Sequence, residues 1–424
     1  SSAASDVYKR QLQKKSENEG WERQINGLSN NEKANLLLEK HTFKELLADV
    51  EQRNLQNNIV GLEASRLFAR SEINMGVDAF RDSLYAMLKR NTFLNIKFEN
   101  MLDTLGEMSR TDLYSYLKEW EQLTPLPFYS IGEPELTKVV NKGGEEFFVL
   151  KVLVSNNSDY DGIIQMNVLQ NGWWYQPMED PRARKKVEIA AHTSKEFVSV
   201  WEEQIRDVEI NTMVSGNLPY MIRQSIGNVK QERNKIVKDT IYTLPESSLE
   251  MPGEVIVDNE DSTLFVLSTP AVVGLLPKWL DKVEDTSFKY SGISWWRAPL
   301  QWTATTNAKY YGKYIRSAYV IKSGDGSQTA TWKIPVPEAG QYELYYHVFK
   351  DDELRWNDRL QGEYHFRVAY DSEMEDAYIN LRKANEGWEQ LGTYYFSADT
   401  VRVVLTDECK LRSVTADAVK IVKR

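Results

Sequence analysis

Apolar residues recur with two different periods along the chain, and the change of period divides it. From Asn31 to Leu123 they are spaced three and four residues apart, as on one face of a helix. Beyond Phe128 they alternate with polar residues, which is the spacing of half-buried strands. Pro125 and Pro127 stand at the change and are expected to stop the last helix. The pattern predicts a multidomain α + β chain that begins with a helical block.

Four apolar stripes within this block predict helices in an antiparallel array. They are Phe43, Leu46, Leu47 and Val50; Val77, Phe80, Leu84 and Leu88; Phe98, Met101, Leu102 and Leu105; and Leu113, Tyr116, Leu117 and Trp120. Gly106 is expected to end the third helix, and Ser109 with Asp112 resembles a capping box that opens the fourth. Stripes of this kind form a core far more often than a ligand site.

A first β region extends from about residue 134 to 245. Residues 147–154 form a nearly continuous apolar strand, and apolar side chains then alternate over residues 164–168. The polar residues 193–196 are expected to form a turn, and residues 243–253, rich in proline, serine and glycine, a linker. Short strands at this spacing predict an immunoglobulin-like β-sandwich.

The last part of the chain contains the clearest alternation. The side chains expected to face one core are Ala330, Trp332, Ile334, Val336, Tyr342, Leu344 and Tyr346. Residues 337–340, which begin with proline and end with glycine, separate the two groups and predict a β-hairpin at the heart of a sandwich. Residues 324–327, Gly-Asp-Gly-Ser, are predicted to form another hairpin turn, because they lack the lysine and helix that follow a phosphate-binding loop.

Composition excludes several classes of function. The chain has 62 acidic and 52 basic residues and a formal charge of −10, so its surface does not favour nucleic acid. Cys409 is the only cysteine, which excludes an intrachain disulfide. The longest apolar stretch, residues 264–280, is interrupted by Pro270 and Pro277 and falls short of the about 20 residues that a membrane span needs. We therefore predict neither a nucleic-acid partner nor a membrane span.

The N-terminus is not expected to be native. Residues 3–11 resemble a translated sequencing-adapter remnant, and no methionine initiates the chain. Residues 1–11 are therefore set apart from the fold, and the helical domain is placed at residues 12–130. We expect the chain to be the C-terminal piece of a longer protein.

Several segments near the C-terminus occur in an order that resembles a known family. They are residues 257–261, 292–296, 316–319, 330–332, 335–342, 388, 391–396 and 416–419. Together they resemble the golvesin C-terminal-like domain, also called the xanthan lyase binding-domain-like module, over about residues 254–424. An insertion at residues 264–290 departs from the family pattern.

This resemblance implies a galactose-binding-like jelly roll without catalytic residues. Such modules stand at the ends of many exported Bacteroidota proteins and are suspected of holding carbohydrate. The resemblance therefore implies a periplasmic, extracellular or cell-surface location and a polysaccharide or cell-surface polymer as partner. It leaves a second partner open, namely the upstream domains of the same protein.

Residues 58–130 resemble, less specifically, the end of the catalytic domain of the aminopeptidase N family. The matching segments are residues 61–64, 77–80, 98–105 and 112–120. The resemblance implies an alternative, in which the chain is the C-terminal fragment of a zinc aminopeptidase-like enzyme whose catalytic site lies upstream. This chain itself is not expected to be an enzyme, because it has no His-Glu-x-x-His motif and its four histidines are isolated in sequence.

Aromatic residues in the first part of the C-terminal domain are the candidate ligand contacts. With one arginine they are Trp295, Trp296, Arg297, Trp302, Tyr310 and Tyr311. An exposed aromatic ring can stack on a pyranose while arginine donates to its hydroxyls. The alternative is that these rings fill the core of the sandwich, as aromatic residues of β domains commonly do.

Acidic residues at the first strand of this domain form the candidate metal site. Asp258, Glu260 and Asp261 crowd together, and Ca²⁺ prefers several oxygen ligands. The alternative is a solvated acidic turn, because the spacing is not that of an EF-hand. Apart from this structural Ca²⁺ no cofactor is expected. Asp417, which lies between two alanines, is expected to accept internal hydrogen bonds.

Overall fold

The computed structural model describes residues 22–23, 25–92, 94–95, 97–123, 125–170, 180–233, 237–247, 249, 253–268, 288–293, 298–350, 362–371 and 373–424. The chain forms two compact units. One joins Ser1–Ser29 to Glu250–Arg424, and the other is Asn30–Leu249. Helices and several separate sheets are both present, so the predicted α + β class is confirmed at this level. The boundaries proposed for three domains stay predictions.

Helices dominate the first part of Asn30–Leu249, as the periodicity predicted. In the described part of this unit they are α1 Asn30–Leu38, α2 Phe43–Ala48, α3 Gln56–Met75, α4 Val77–Arg90, α5 Phe98–Ser109 and α6 Leu113–Glu119. Their apolar faces form small clusters, one of which centres on Leu102, Leu105 and Leu113. None of the described helices is long and apolar enough to cross a membrane.

The predicted stripe of residues 43–50 is wrong in its second half. Helix α2 begins with a capping box, in which Thr42 accepts a hydrogen bond from the Glu45 backbone and the Glu45 side chain accepts one from Thr42. It ends at Ala48, so Val50 lies beyond the helix and is 73% exposed. Leu47 lies within the helix but is 41% exposed. Only six residues are helical, which is too short for a four-position stripe to remain on one face.

The predicted boundary between α5 and α6 is also corrected. Helix α5 continues past Gly106 to Ser109 and is closed by Arg110 in the left-handed region, with φ of 53°. Asp112, rather than Ser109, caps α6, because its carboxylate accepts from the backbone N–H groups of Tyr114 and Ser115. Aspartate is itself a favoured N-cap residue, so no serine is required.

Strands follow the helices from residue 129, close to the predicted change of period. They are β1 Tyr129–Ile131, β2 Glu135–Val140, β3 Glu146–Asn156, β4 Gly162–Gln170, β5 Arg184–Ile189, β6 Thr193–Trp201, β7 Ile205–Asn211, β8 Met221–Ser225, β9 Val229–Arg233 and β10 Thr240–Pro245. One sheet has the order β10-β6-β3-β2-β9 with β1 on β3, and a second has the order β5-β4-β7-β8.

Side chains from both of these sheets form one core, which includes Leu150, Ile164, Met166, Phe197 and Val208. The predicted strand 147–154 and the alternation over residues 164–168 are thereby confirmed.

Two loop predictions are wrong. Residues 193–196 begin strand β6 instead of forming a turn, and the first residues of the predicted linker, 243–245, complete β10 and pair with β6.

Ion pairs join the helices to this sandwich within the same unit. The guanidinium of Arg70 on α3 lies 3.0 Å from the Glu188 carboxylate on β5, and Lys186 forms an ion pair with Glu72. The Lys186 and Glu72 side chains are only 12% and 10% exposed. Removal of one partner would leave a nearly buried charge unpaired, so these contacts determine where α3 packs.

The C-terminal unit is built from strands. They are β11 Glu254–Val257, β12 Phe265–Leu267, β13 Thr303–Thr306, β14 Ser317–Lys322, β15 Thr329–Pro335, β16 Gly340–Val348, β17 Glu363–Tyr370, β18 Glu373–Asn380, β19 Gly387–Phe396, β20 Thr400–Thr406, β21 Ser413–Ala416 and β22 Val419–Lys423. A four-stranded sheet has the order β11-β22-β16-β19, a five-stranded sheet β12-β15-β20-β17-β18 and a three-stranded sheet β13-β14-β21.

The predicted burial of alternate residues in β15 and β16 is confirmed, but the predicted hairpin between them is wrong. Ala330, Trp332, Leu344 and Tyr346 are all fully buried in one core. Strand β15 nevertheless pairs with β12 and β20, whereas β16 pairs with β19 and β22. Residues 337–340 therefore connect two sheets. Alternation shows which face of a strand is buried, but it does not show which strand lies beside it.

The segment 324–327 is likewise not a hairpin turn. It connects β14 and β15, which belong to different sheets. Asp407 organises this connection, because its carboxylate accepts hydrogen bonds from the backbone N–H groups of Gly326 at 2.8 Å and Gln328 at 3.2 Å. Asp407 is 3% exposed, so these donors compensate a buried carboxylate.

A short N-terminal segment also belongs to the C-terminal unit, although the helical domain was predicted to begin at residue 12. Leu28 is fully buried, and the Thr306 hydroxyl donates to the carbonyl of Gly27 at 2.9 Å. The backbones approach closely here. A Cβ atom on Gly292 would lie 2.0 Å from the Ile25 carbonyl oxygen. Glycine at position 292 thus allows two segments that are distant in sequence to touch.

We expect Gly292→Ala to destabilise the C-terminal unit by about 1–3 kcal/mol, because the added methyl group must displace backbone rather than a flexible side chain. The measurement is urea unfolding followed by circular dichroism, with hydrogen exchange of residues 25–28 as a local readout. Gly227→Ala is the control, since a Cβ atom there meets nothing within 4 Å. Unchanged stability and unchanged exchange in Gly292→Ala would contradict the contact.

Candidate ligand-binding site

The structure separates the aromatic residues that the sequence grouped as ligand contacts. Trp295, Trp296 and Arg297 lie outside the described residues. Tyr310 is 6% exposed and its ring centroid lies 4.6 Å from that of Phe349. Trp302 is partly buried and packs against the main core of the C-terminal unit. Tyr310 and Trp302 therefore pack within the unit, as expected if these aromatic residues fill its core.

Tyr311 belongs to a different aromatic group. Its ring centroid is 5.0 Å from that of Trp388 and 5.8 Å from that of His347. The ammonium of Lys420 lies 4.9 Å from the centroid of Trp388. This cation is paired with Glu254, and the two side chains are only 12% and 7% exposed. The group is packed on itself, and Trp388 is partly buried with Tyr311, His347 and Lys420 against its ring.

Asp417 lies beneath this group and is fully buried. Its carboxylate accepts hydrogen bonds from the Tyr311 backbone at 3.1 Å and contacts Nδ1 of His347 at 2.8 Å. Burial raises the pKa of Asp417, and contact with His347 opposes that rise. The expectation that Asp417 accepts internal hydrogen bonds is confirmed. Its chemistry is structural in this arrangement, because both of its carboxylate oxygens have partners.

The acidic residues of the predicted metal site have separate partners. Glu260 accepts from the Lys289 ammonium at 2.6 Å, from the Tyr290 hydroxyl at 3.1 Å and from Ser317. Asp261 accepts from the backbone and hydroxyl of Thr263, and this contact lowers its pKa. These two carboxylates stabilise a turn and an ion pair.

Asp258 is the member of this set with the most perturbed ionisation. Burial raises its pKa well above the usual value, and the Asp417 and Glu260 carboxylates add to the rise. Within the described residues no group of three or more acidic, histidine or cysteine side chains is arranged to hold a metal ion. The structural Ca²⁺ stays a prediction.

An exposed aromatic ring on the five-stranded sheet was missed by sequence reasoning. Tyr378 on the edge strand β18 is 58% exposed. It stacks on His365 of β17, directly opposite, with centroids 5.0 Å apart and planes 12° from parallel. His365 is held by Asp376, whose carboxylate lies 2.8 Å from Nε2. The alternation of buried Ala377 and Ile379 with Tyr378 was the available signal.

Three basic side chains lie on the same outward face. Lys333 on β15 is directly opposite Arg402 on β20, and Arg402 is opposite Ala369, two residues from Arg367 on β17. The buried neighbours of these residues show that the basic side chains point away from the core. Among the described residues none of the three forms an ion pair. Glu363 on β17 and Asp376 on β18 lie on the same face, and the Glu408 carboxylate lies 3.4 Å from Nδ1 of His365. We call the three basic residues with His365 and Tyr378 the basic face.

The peptidase-like segment 61–64 is explained by packing. Leu62 is 7% exposed and belongs to a helical core cluster. Glu63 is 4% exposed and accepts from the Trp120 indole at 3.1 Å and from Arg66. Glu63 thus links α3 to Trp120 at the end of α6, and Leu62 packs α3 against α1 and α2, so both residues have structural contacts. The resemblance of residues 58–130 to a peptidase stays a prediction.

Comparison with known families bears out the resemblance of the C-terminal domain. Residues 296–423 match the family model of the Golvesin C-terminal domain. The match includes all of the strands β13 to β22 and the whole basic face. Residues 254–295, which the sequence analysis included, lie outside it. No curated protein matches the chain.

Solved structures give only distant likenesses. A Paenibacillus xanthan lyase is 15% identical over 71% of this chain and 27% of its own, with a TM-score of 0.29. A Bacteroides uniformis β-glucuronidase is 12% identical over 75% of this chain and 32% of its own, with a TM-score of 0.20. This chain thus spans a third or less of either protein. Likenesses at this level carry no information on activity.

We expect Asp258→Asn to raise the unfolding free energy of the C-terminal unit at neutral pH and to have less effect at low pH. The pKa of Asp258 is higher in the folded chain than in the unfolded chain, so its protonated form stabilises the fold. This contribution to the unfolding free energy is fully present below about pH 4, the pKa of an unfolded aspartate, and it is lost as pH rises through the folded pKa. Asparagine does not ionise, so the variant does not lose this stability as pH rises. Urea unfolding between pH 4 and 8 measures the difference between the two proteins.

Asp325→Asn is the control for this pH dependence, because Asp325 is exposed and its pKa is lowered by Ser327. A constant difference between Asp258→Asn and the unsubstituted chain across the pH range would show that Asp258 ionises normally.

Proposed function

Because residues 296–423 match the Golvesin C-terminal domain, we propose that the C-terminal unit is a non-catalytic accessory module that holds carbohydrate on its basic face. The single observation that carries this proposal is the exposed ring of Tyr378, held parallel to His365 beside Arg367. Tyr378 is 58% exposed, and the flat, weakly polar face of a pyranose can pack against an exposed aromatic ring.

Polar groups around the ring complete the contact. Arg367 stands two residues from His365 on the same strand face, and arginine donates hydrogen bonds in a planar fork that suits sugar hydroxyls and carboxylates. Asn380, on the same side of β18 as Tyr378, bonds to Glu363 and adds an amide at the edge. One stacked ring with a few donors would hold a sugar weakly, at about millimolar Kd.

We propose finer fold assignments on the same basis. The two sheets that share a core within residues 134–245 support an immunoglobulin-like sandwich, and the three sheets within residues 254–424 support a galactose-binding-like jelly roll. We further propose that the parent protein is exported and acts outside the cytoplasm, where polymeric carbohydrate is found.

The alternative is that the chain completes a zinc aminopeptidase-like enzyme with its catalytic site upstream. It rests on residues 58–130 alone, and the buried Glu63 contacts give it no support. Sequencing of the full reading frame separates the two functions. A His-Glu-x-x-His motif upstream would favour the peptidase, and a different upstream domain would exclude it.

We expect Tyr378→Ala to weaken binding of glycan about three- to tenfold, which corresponds to loss of one stacking contact of about 1 kcal/mol. Affinity electrophoresis in gels that contain single polysaccharides, neutral and acidic, measures the effect. The control is Tyr395→Ala, because Tyr395 is 63% exposed but lies on the four-stranded sheet.

If none of the polysaccharides retards the protein in the gel, carbohydrate binding is refuted. Equal loss in Tyr378→Ala and Tyr395→Ala would show that the basic face is not the site.

A further inference from the structure

A histidine in the unit Asn30–Leu249 lies between two carboxylates from other parts of the chain. His192 stands in the turn between β5 and β6, with Nε2 2.7 Å from Asp159 and Nδ1 2.7 Å from Glu246. Asp159 belongs to the loop between β3 and β4, and Glu246 follows directly after β10. We propose that these three residues form a latch that fastens the chain after β10 while His192 is protonated and releases it when the ring loses its proton.

The two contacts of the ring require two N–H donors. A carboxylate oxygen accepts hydrogen bonds, and only the imidazolium form of histidine carries a proton on both nitrogens. The neutral ring has one N–H and one lone pair, so it can donate to Asp159 or to Glu246 but not to both. Deprotonation of His192 therefore removes one hydrogen bond and the attraction between opposite charges together.

The backbone at this turn favours other residue types than histidine. His192 has a φ of 53°, in the left-handed region that glycine and asparagine adopt more easily. Its side chain is 53% exposed, so it fills no place in the core. Neither conformation nor packing explains a histidine at this position. The contacts of its ring do.

The latch acts on a short polar strap, which consists of Glu246 and Ser247. Strand β10 ends at Pro245, so side chains rather than strand pairing hold the strap. The Ser247 backbone donates to the Ser155 hydroxyl at 3.0 Å, and the Asn157 amide donates to the Ser247 carbonyl at 3.1 Å and to Glu246 at 2.8 Å. A few exposed hydrogen bonds of this kind open locally, without unfolding of the sheet.

The strap occupies the end of this unit. The unit closes at Leu249, and the chain enters the other unit at Glu250. Opening of the strap therefore frees the last residues of the unit just before the connection. The device is independent of carbohydrate binding, because all of its residues lie outside the C-terminal unit.

The charges on both sides of the ring fix the direction of the pH response. Hydrogen bonds to Asp159 and Glu246 raise the pKa of His192 above its ordinary value. The stabilisation is fully present below about pH 6.5, the pKa of an unfolded histidine, and is lost as pH rises through the folded pKa. The latch is thus closed in mildly acidic solution and open in alkaline solution.

Other charged groups of the flanking elements have partners of their own. They are Asp161, Glu188 and Lys195, which contact the Ala191 backbone at 2.8 Å, the Arg70 guanidinium at 3.0 Å and the Thr243 hydroxyl at 2.6 Å, respectively. The two carboxylates that contact the ring are therefore the groups to change in a test.

The first experiment is an NMR titration of the full chain labelled in its imidazole rings. The chain has four histidines, so His192→Asn identifies the curve of His192 by its loss. We expect the midpoint of this curve to lie above about pH 6.5 and to fall in Asp159→Asn and in Glu246→Gln. Glu135→Gln is the matched control, because it removes the carboxylate of another exposed ion pair, 3.0 Å from Lys230, and should leave the midpoint unchanged.

The second experiment measures amide exchange of the strap by NMR. After correction for the intrinsic pH dependence of exchange, we expect protection of the Ser247 amide to fall about two- to fivefold between pH 6 and 8.5, the size typical of an exposed ion pair. His192→Asn should show the lower protection at both pH values. Amides of β10 that pair with β6 are the internal control and should keep their protection.

Each outcome supports or overturns the latch. A raised midpoint that falls in both carboxylate variants, together with pH-dependent protection of Ser247, supports it. A midpoint at or below about pH 6.5, or one that neither carboxylate variant changes, overturns it. Equal protection of Ser247 at both pH values overturns it even if the midpoint is raised, because the ion pairs then hold nothing. Equal loss of protection throughout β10 would show a general loosening of the sheet and would also overturn it. Circular dichroism confirms that each variant is folded.

Discussion

The buried carboxylate of Asp417 is the constraint on which the C-terminal unit depends most. It stands between β21 of the three-stranded sheet and β22 of the four-stranded sheet. Its carbonyl accepts from the Trp332 indole of the five-stranded sheet at 3.2 Å, and its carboxylate holds Tyr311 and His347. One residue thus connects all three sheets. A buried carboxylate is tolerated only when it is hydrogen-bonded, so these partners must be assembled together for the unit to fold.

The same core determines where a ligand could bind. Trp332 and Phe366 are fully buried between the sheets, and their chain neighbours Lys333 and Arg367 consequently face outwards. The basic face is therefore a direct consequence of strand period combined with a large aromatic core. Tyr311 and Trp388, which have the residue types expected of a sugar platform, are instead used to cover Asp417.

The charged groups of the C-terminal unit are divided between its inner side and its outward sheet face. Acidic groups on its inner side are compensated one by one: Asp407 by backbone N–H groups, Glu260 by Lys289 and Tyr290. Asp258 and Asp417 are incompletely compensated, and their pKa values rise as a result. On the outward face of the five-stranded sheet the cations lie among exposed carboxylates, because Asp376 stands opposite Arg367 and contacts His365.

The sequence by itself determined the order of helical and β regions, the buried positions of strands such as 147–154 and 330–336, and the family of the last domain, because these depend on local periodicity and short motifs. It did not determine which strands pair. Residues 337–340 connect two sheets rather than a hairpin, and residues 22–29 join a unit that begins again beyond residue 249. Nor could it distinguish the partly buried Trp388 from the exposed Tyr378. Strand pairing and exposure are decided by residues far apart in sequence, which only the tertiary structure brings together.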